Sequence, residues 1–239
     1  MTRPYSGPDA NRIRSMFASI AGGYDRANTL LSGGIHHLWR RRLVDWSGAN
    51  PGNEILDCAT GTGDLALAFA ELAGQQGRVV GTDFCAEMLA FAPGKAKKRA
   101  LQIDFEVADV TALPYADESF DIASIAFGIR NVNDPFLALQ ELARVVRPGG
   151  RVMVLEFGQP ERPVVGPLFR FYSHRVLPRL GGMITGNPEA YGYLDSSAAA
   201  FPSGEAFLEL MRETGLFRSV ESRPLTFGVA YIYRGVVEG

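Results

Sequence analysis

The stretch Glu54-Ile55-Leu56-Asp57-Cys58-Ala59-Thr60-Gly61-Thr62-Gly63-Asp64 constrains this chain more than any other. A short apolar run ends in an acid, a glycine turn follows, and Leu65-Ala66-Leu67-Ala68-Phe69-Ala70 then reads as a buried helix. That order is the strand–turn–helix of a nucleotide pocket, in which glycines let a ligand come close to the backbone. Asp83 follows Gly61 by 22 residues, at the end of the strand-like Arg78-Val79-Val80-Gly81-Thr82. An acid at that distance is the one that takes ribose hydroxyls.

Two ligands suit the pattern. Gly61-x-Gly63-x-x-Ala66 fits the dinucleotide fingerprint in relaxed form, so NAD(P) and an oxidoreductase are one reading. A pyrophosphate, however, sits on the free N–H groups and positive dipole end of the helix N-terminus. Asp64 occupies that first turn and Asp57 faces it from the strand end. At an effective dielectric of about 20, two carboxylates repel a diphosphate by several kcal/mol. They favour a cationic ligand without phosphate, and S-adenosylmethionine, with its sulfonium and α-ammonium groups, is such a ligand.

Beyond residue 50 the elements alternate. Strands are expected at 54–58, 78–82, Ile103–Ala108, Phe120–Ala126 and Arg151–Phe157, with helices at 63–73 and 86–99. Asp134 caps a further helix with Pro135 at its first position, and Phe136, Leu139, Ala143 and Val146 give it an apolar face until Pro148-Gly149-Gly150. Such alternation predicts an α/β fold with a parallel sheet covered on both sides. At the end Ser203–Thr214 reads as helix, and Leu216–Ser222 and Leu225–Tyr233 as strands turning at Arg223-Pro224, which places one antiparallel strand at the sheet's end. Before residue 50, Asn11–Ala21 and Gly34–Trp46 look helical.

Ligands of open α/β sheets lie outside the carboxyl ends of the strands. Those ends here are Asp57, Asp83, Asp109 and Ala126-Phe127-Gly128. Asp109 is placed to accept from an adenine amino group, with the Val110 N–H beside it as donor. A lone aspartate is ordinarily a turn or cap residue; three at successive strand ends are harder to explain so.

Composition adds limits. The 239 residues, 46% of them hydrophobic, suffice for one domain with a full core. A net charge of −2 gives no general attraction to nucleic acid. Cys58 and Cys85 lack metal or redox spacing and read as core residues in a reducing compartment. The first seven residues hold no apolar signal core, and no run approaches the roughly 18 residues of a membrane span. A cytoplasmic protein is expected. Neither zinc-ligand spacing nor a Ser–His–Asp motif stands in the sequence.

The segments Tyr24–Trp39 (YDRANTLLSGGIHHLW), Phe127–Val132 (FGIRNV), Arg144–Gly158 (RVVRPGGRVMVLEFG) and Tyr191–Ser197 (YGYLDSS) resemble those of the ubiquinone/menaquinone biosynthesis C-methyltransferases, a class I S-adenosylmethionine-dependent family. The similarity runs from about Met16 to the C-terminus. The chain departs from the family pattern at Ala27, Arg147 and Gly158, and at Ala126, where many relatives carry a serine touching the cofactor. The resemblance implies a Rossmann-like, mostly parallel seven-stranded sheet with one antiparallel strand. It divides the chain into an N-terminal helical lid (1–50), a cofactor-binding core (51–157), a substrate cap (158–202) and a C-terminal helix and strand pair (203–239). It also implies S-adenosylmethionine contacts at Thr62, Asp83, Asp109 and Val110, to which the strand end and glycine turn add Asp57, Gly61 and Gly63, and no metal.

The implied chemistry is methyl transfer to a ring carbon of a prenylated quinol, either demethylmenaquinol or a ubiquinone precursor. Ring carbon becomes nucleophilic when a ring hydroxyl loses its proton, so the site must help remove that proton and hold carbon and methyl in line. Arg130 is expected to stabilise the phenolate or polarise a water, and Asn131 to orient a ring oxygen. Tyr24, His36 and Trp39 belong to the lid, with His36 a proton acceptor near neutral pH or simply a helix-face residue. His174 reads as a packing or interface residue. Between Arg162 and Pro188 the chain holds Arg162, Arg170, Arg175 and Arg179, no acid, and many large apolar residues. That makeup suits a substrate cap that also touches an anionic membrane surface, or else a packed helix with a solvated arginine face.

Overall fold

The computed structural model describes residues 7–160 and 162–239; the first six residues, part of the expected lid, lie outside the described residues. The sheet contains β1 (Glu54–Cys58), β2 (Arg78–Asp83), β3 (Asp104–Val107), β4 (Phe120–Ala126), β5 (Val146–Phe157), β6 (Phe217–Leu225) and β7 (Ala230–Val237). Their spatial order is β3-β2-β1-β4-β5-β7-β6. β1 pairs in parallel with β2 on one side and β4 on the other. The chain therefore winds outward from β1, returns after β3, and winds outward again, which opens a crevice at the carboxyl end of β1.

Central strands buried on both faces are largely apolar, as Ile55-Leu56 and Ile122-Ala123 are. One face packs under α7 (Pro135–Arg144) and α11 (Glu205–Glu213), through Leu139, Leu142, Phe207 and Met211. The other packs under α3 (Ile35–Ser47) and α4 (Asp64–Ala73), through Leu43, Val44, Leu65 and Phe69. Asp134 caps α7 by accepting from the Leu137 N–H at 3.0 Å, and Pro135 starts it, where a missing N–H costs nothing.

Four expectations shift. The antiparallel strand is not at the sheet's end: β7 is inserted between β5 and β6, antiparallel to both. The connection between β6 and β7 lies at residues 226–229 rather than at Arg223-Pro224, because β6 runs through Pro224 as an edge strand, where a proline withholds no ladder donor. The helix expected at 86–99 is two, α5 (Ala86–Leu89) and α6 (Ala92–Lys98), since Pro93 cannot continue α5 but fits the first turn of α6. Val146 lies outside α7 and begins β5.

The lid consists of three helices, α1 (Ala10–Ile20), α2 (Tyr24–Ser32) and α3, with α2 filling the stretch that carries the family-like segment. The cap consists of α8 (Val165–Phe171), a π-helical turn at Tyr172–Val176, α9 (Leu177–Thr185) and α10 (Pro188–Ala200). The π turn falls just before Pro178, which has no N–H to return to the preceding turn. Ile20, Ala27, Ala190 and Tyr191 form a small core shared by lid and cap, so the two pack as one body over the crevice.

Candidate active site

Two cavities meet above the carboxyl edge of the sheet. The first, about 740 Å³, is walled by Gly61, Asp83, Phe84, Asp109, Val110 and Asn131 among others, with Phe17 of α1 over it. The second, about 1310 Å³, lies between lid and cap and is lined by Trp39, Arg40, Arg130, Phe157, Phe169 and Tyr191 among others. Tyr24 and Phe127 belong to both. Phe127 takes a left-handed backbone (φ 56°), as does Ala59 before the glycine turn (φ 48°). Strained non-glycine residues of this kind cluster where a ligand must be accommodated.

The glycine turn is held from below. Asp57 is 1% exposed and accepts from Thr60 Oγ1 at 2.6 Å and Ser124 Oγ at 2.7 Å. It stands behind the turn and does not line the cleft, so its carboxylate positions the loop instead of facing the ligand. Burial pushes its pKa up to about 6. Asp83 does line the cleft; its Oδ2 accepts from the Gly61 N–H at 2.7 Å and its Oδ1 from the Cys85 N–H at 2.8 Å. Burial raises it to about 6 as well. Asp109 Oδ1 takes the Thr111 N–H and hydroxyl, at 2.8 and 2.7 Å, as an ordinary turn aspartate does, while still bordering the cleft beside Val110.

Thr62 and Gly63 sit elsewhere than expected. The Thr62 hydroxyl donates to Asp25 Oδ1 at 2.6 Å and accepts from Lys95 Nζ at 3.1 Å. Gly63 (φ 87°) lies against α6, where a Cβ would come within 2.8 Å of the Ala92 methyl. Neither lines the cleft; both fasten the turn to its neighbours. Lys95 also donates to Asp25 Oδ2 at 2.9 Å and to Asp64 Oδ1, tying α2, the glycine turn and α4 together.

This corrects the charge argument drawn from Asp57 and Asp64. Burial pushes Asp64 up, but Arg40 and Lys95 together hold it below the usual carboxylate range. Its charge is thus balanced by two cations, and the Asp57 charge is set back behind the turn. The repulsion of a diphosphate is smaller than the sequence alone suggests, because Lys95 and Arg40 reach Asp64 only in the fold.

The expected catalytic residues divide. Tyr24 is half-buried at the junction of the cavities, and desolvation there raises its pKa, so it stays a neutral phenol. Arg130 is 3% exposed and donates from Nη1 to Glu156 Oε1 at 2.8 Å and to the Phe127 carbonyl at 2.6 Å. Glu156 is equally buried, and desolvation pushes it up against the pull of Arg130. Arg130 is therefore part of a buried ion pair supporting the chamber wall, neither an unengaged cation nor a surface pair. Asn131 lines the cofactor cleft rather than the chamber, and its Oδ1 accepts from Tyr193 Oη at 3.1 Å.

His36 lines the chamber and its Nδ1 lies 2.6 Å from Ser32 Oγ. Burial, helped by Arg40 and His37, lowers its pKa to about 4. A neutral imidazole so reluctant to be protonated is a poor acceptor for a phenolic proton. His36, His37 and Asp64 bring ligand atoms within 4.8 Å of one another. Arg40 and Lys95 beside Asp64 make the cluster unsuited to a cation. His174, half exposed, pairs with Asp195 at 2.6 Å.

Several lining residues were not singled out in the sequence. Phe17, Phe84 and Met88 wall the cleft, and Arg40, Phe157 and Phe169 the chamber. Trp39 donates from Nε1 to Thr226 Oγ1 at 2.9 Å, joining the lid to the turn before β7.

The ubiE/COQ5 methyltransferase family profile matches residues 6–237. The chain belongs to that family. It is 60% identical over 231 residues to the ubiquinone/menaquinone biosynthesis C-methyltransferase UbiE of Bdellovibrio bacteriovorus, covering 97% of this chain and 98% of the relative. It is 50% identical over 220 residues to the demethylmenaquinone methyltransferase of Thermus thermophilus, covering 92% and 99%. Among solved structures, an S-adenosylmethionine-dependent methyltransferase from Aquifex aeolicus superposes with a TM-score of 0.60 at 20% identity, covering 83% of this chain and 89% of the other. That likeness establishes the class I methyltransferase fold. As a family member the chain is an S-adenosylmethionine-dependent methyltransferase.

The buried state of Asp57 has a measurable sign. A carboxyl raised from about 4 to about 6 costs the folded protein nothing while protonated, and its cost appears as pH climbs through that window. Relative to Asp57→Asn, the ligand-free wild type should lose roughly 3 kcal/mol between pH 4 and 6 and then level off. Urea unfolding at pH 4, 5, 6 and 7 measures the gap; a constant gap would mean that ionisation of Asp57 carries no such cost.

Proposed function

We propose that this enzyme methylates a ring carbon of a prenylated quinol, converting a demethylmenaquinol to the menaquinol. One observation carries the reading: beside the cofactor cleft stands a chamber too large and too apolar for a small polar substrate, sharing Tyr24 and Phe127 with it. Aromatic walls from Trp39, Phe127, Phe157 and Phe169 suit a flat ring and the start of an isoprenoid chain. The names of the relatives point the same way.

S-adenosylmethionine supplies an electrophilic methyl group on a sulfonium. In the cleft, Asp83 is the acceptor for ribose hydroxyls, the Val110 N–H and Asp109 meet the adenine, and the N–H of Gly61 is held back by Asp83. Phe17 and Tyr24 close over the reacting atoms and exclude water, which protects a reactive sulfonium. Asp57, Thr62 and Gly63 serve that cleft indirectly by fixing the turn.

We place the enzyme at a membrane surface while working. Among the described residues no helix is long and apolar enough to cross a membrane. The helix from Val165 to Thr185 is nevertheless apolar on both sides. Phe169, Tyr172 and Leu177 line the chamber, while Leu168, Phe171 and Met183 point outward, Met183 being 80% exposed. Leu30 and Leu38 of the lid extend the outward apolar surface, and Arg162, Arg170, Arg175 and Arg179 are exposed along the same segment. An apolar face edged with arginines suits entry into the headgroup region of an anionic bilayer, from which a prenylated substrate is drawn.

Incubation with labelled S-adenosylmethionine and a reduced demethylated naphthoquinol should give a product heavier by one methyl on ring carbon, as read by mass analysis. Methylation of a benzoquinol alone would move the assignment to a ubiquinone precursor, and methylation of neither would remove the quinol reading. Co-sedimentation with vesicles should rise with anionic lipid content and fall with salt, and should drop at least several-fold in Leu168→Ser/Phe171→Ser/Met183→Ser. Binding indifferent to all of these would discard the membrane contact.

A further inference from the structure

We infer that Arg40 is the cation that stabilises the ring phenolate during methyl transfer; the inference rests on the quinol reading and assigns a residue to its activation step. Arg40 projects from α3 into the chamber, with its guanidinium carbon 5.9 Å from the centroid of Phe127, an aromatic wall common to both cavities. Its Nη1 is buried and has no hydrogen-bond partner. The nearest carboxylate oxygen, Asp64 Oδ2, is 3.5 Å away, while the other oxygen of Asp64 is taken by Lys95. Leaving a charged donor unsatisfied in a buried place is expensive. A ring oxygen bearing negative charge, sitting in the chamber against Phe127, supplies the missing acceptor.

The surrounding groups agree. Arg130, the other guanidinium of the chamber, already donates to Glu156 and to the Phe127 carbonyl. Facing Arg40 are Tyr24 and Asp25 of α2, Asp64 of α4, Lys95 of α6, Arg130 beyond β4, and His36 and His37 on its own helix. Asp25 and Asp64 are shared with Lys95, so neither carboxylate is left to Arg40 alone. The chamber next to Arg40 is consequently a place where positive charge on a neighbour is disfavoured and negative charge is favoured, as the depressed His36 records.

The step balances as follows. A quinol hydroxyl gives its proton to water, and Arg40 Nη1 donates to the resulting oxyanion. The oxyanion's electron pair moves through the ring to the ortho carbon, which forms a bond to the methyl carbon as the S–CH3 bond breaks and its pair returns to sulfur. The same ring carbon then loses its hydrogen as a proton to water, which restores the aromatic ring as a phenolate, and that oxyanion takes one proton back from water to give the hydroquinol. One proton is released in net. An opposite charge at this range lowers an acid's pKa by about 1–3 units, which is a 10- to 1,000-fold gain in phenolate below its pKa.

The test uses the full chain with S-adenosylmethionine and a reduced demethylated naphthoquinol. Arg40→Gln should keep cofactor affinity within about threefold, lower kcat by roughly 10- to 1,000-fold, and move the rising limb of the pH–rate profile up by one unit or more. Arg40→Lys should recover part of both. A quinol made more acidic by ring halogens should be affected less, because its phenolate needs less help. Should Arg40→Gln fail to fold, judged by circular dichroism and cofactor binding, Arg40→Lys and the acidity series carry the comparison. A normal profile, or a loss of rate with the limb unmoved and no dependence on substrate acidity, overturns the role. Failure of the wild type to methylate any quinol would instead overturn the function on which the role rests.

Discussion

The reversal of winding at β1 is the constraint on which everything else depends. Because β1 pairs with β2 on one side and β4 on the other, the segments leaving these strands diverge, and no connection crosses the gap between them. That gap is the cleft, and the residues at its edge are whatever ends the strands. Asp83 and Phe127 gain their positions in this way, and the glycine turn fills the floor. The lid and cap then add walls that the sheet lacks, and so turn an open crevice into two adjoining cavities.

Charge is used inside the protein more than toward the ligand. Lys95 joins Asp25, Thr62 and Asp64, so that one ammonium locks the lid to the turn. Asp57 is buried to brace the same turn through Thr60 and Ser124. Glu156 and Arg130 brace the chamber wall from within the sheet. Buried ion pairs are costly to break, since removing one partner leaves the other charge stranded. These groups therefore set geometry, while Asp83 and the edge at Asp109-Val110 border the cleft itself.

The parallel part of the sheet was legible because each strand ends in a local signal: an acid, a glycine turn or a capped helix. Strands β1, β2 and β4 lie where their apolar runs stand, and Asp134 caps α7 as its sequence implies. The insertion of β7 was not legible, since pairing between β5 and β7 joins residues some 80 apart and leaves no mark on either strand. Nor was the pairing of Arg130 with Glu156 or of Asp64 with Lys95, each made by side chains far apart in the chain. Asp83, Asp109 and Val110 border the cleft because strand-end residues face it, and Gly61 because its turn lies beside them, whereas Thr62 and Gly63 sit on the other side of that turn, which its motif does not distinguish. The chamber walls come from lid, sheet and cap together, and large apolar residues there look like any other core residues until folded.

Tyr24 and Phe127 form a party wall between the two cavities. A ligand that reorients either ring changes the wall presented to the other side, and any change it makes in the second occupant's affinity is returned by the same factor. Two neighbouring sites that share a wall can thus hold their occupants jointly, with no contact needed between the occupants themselves.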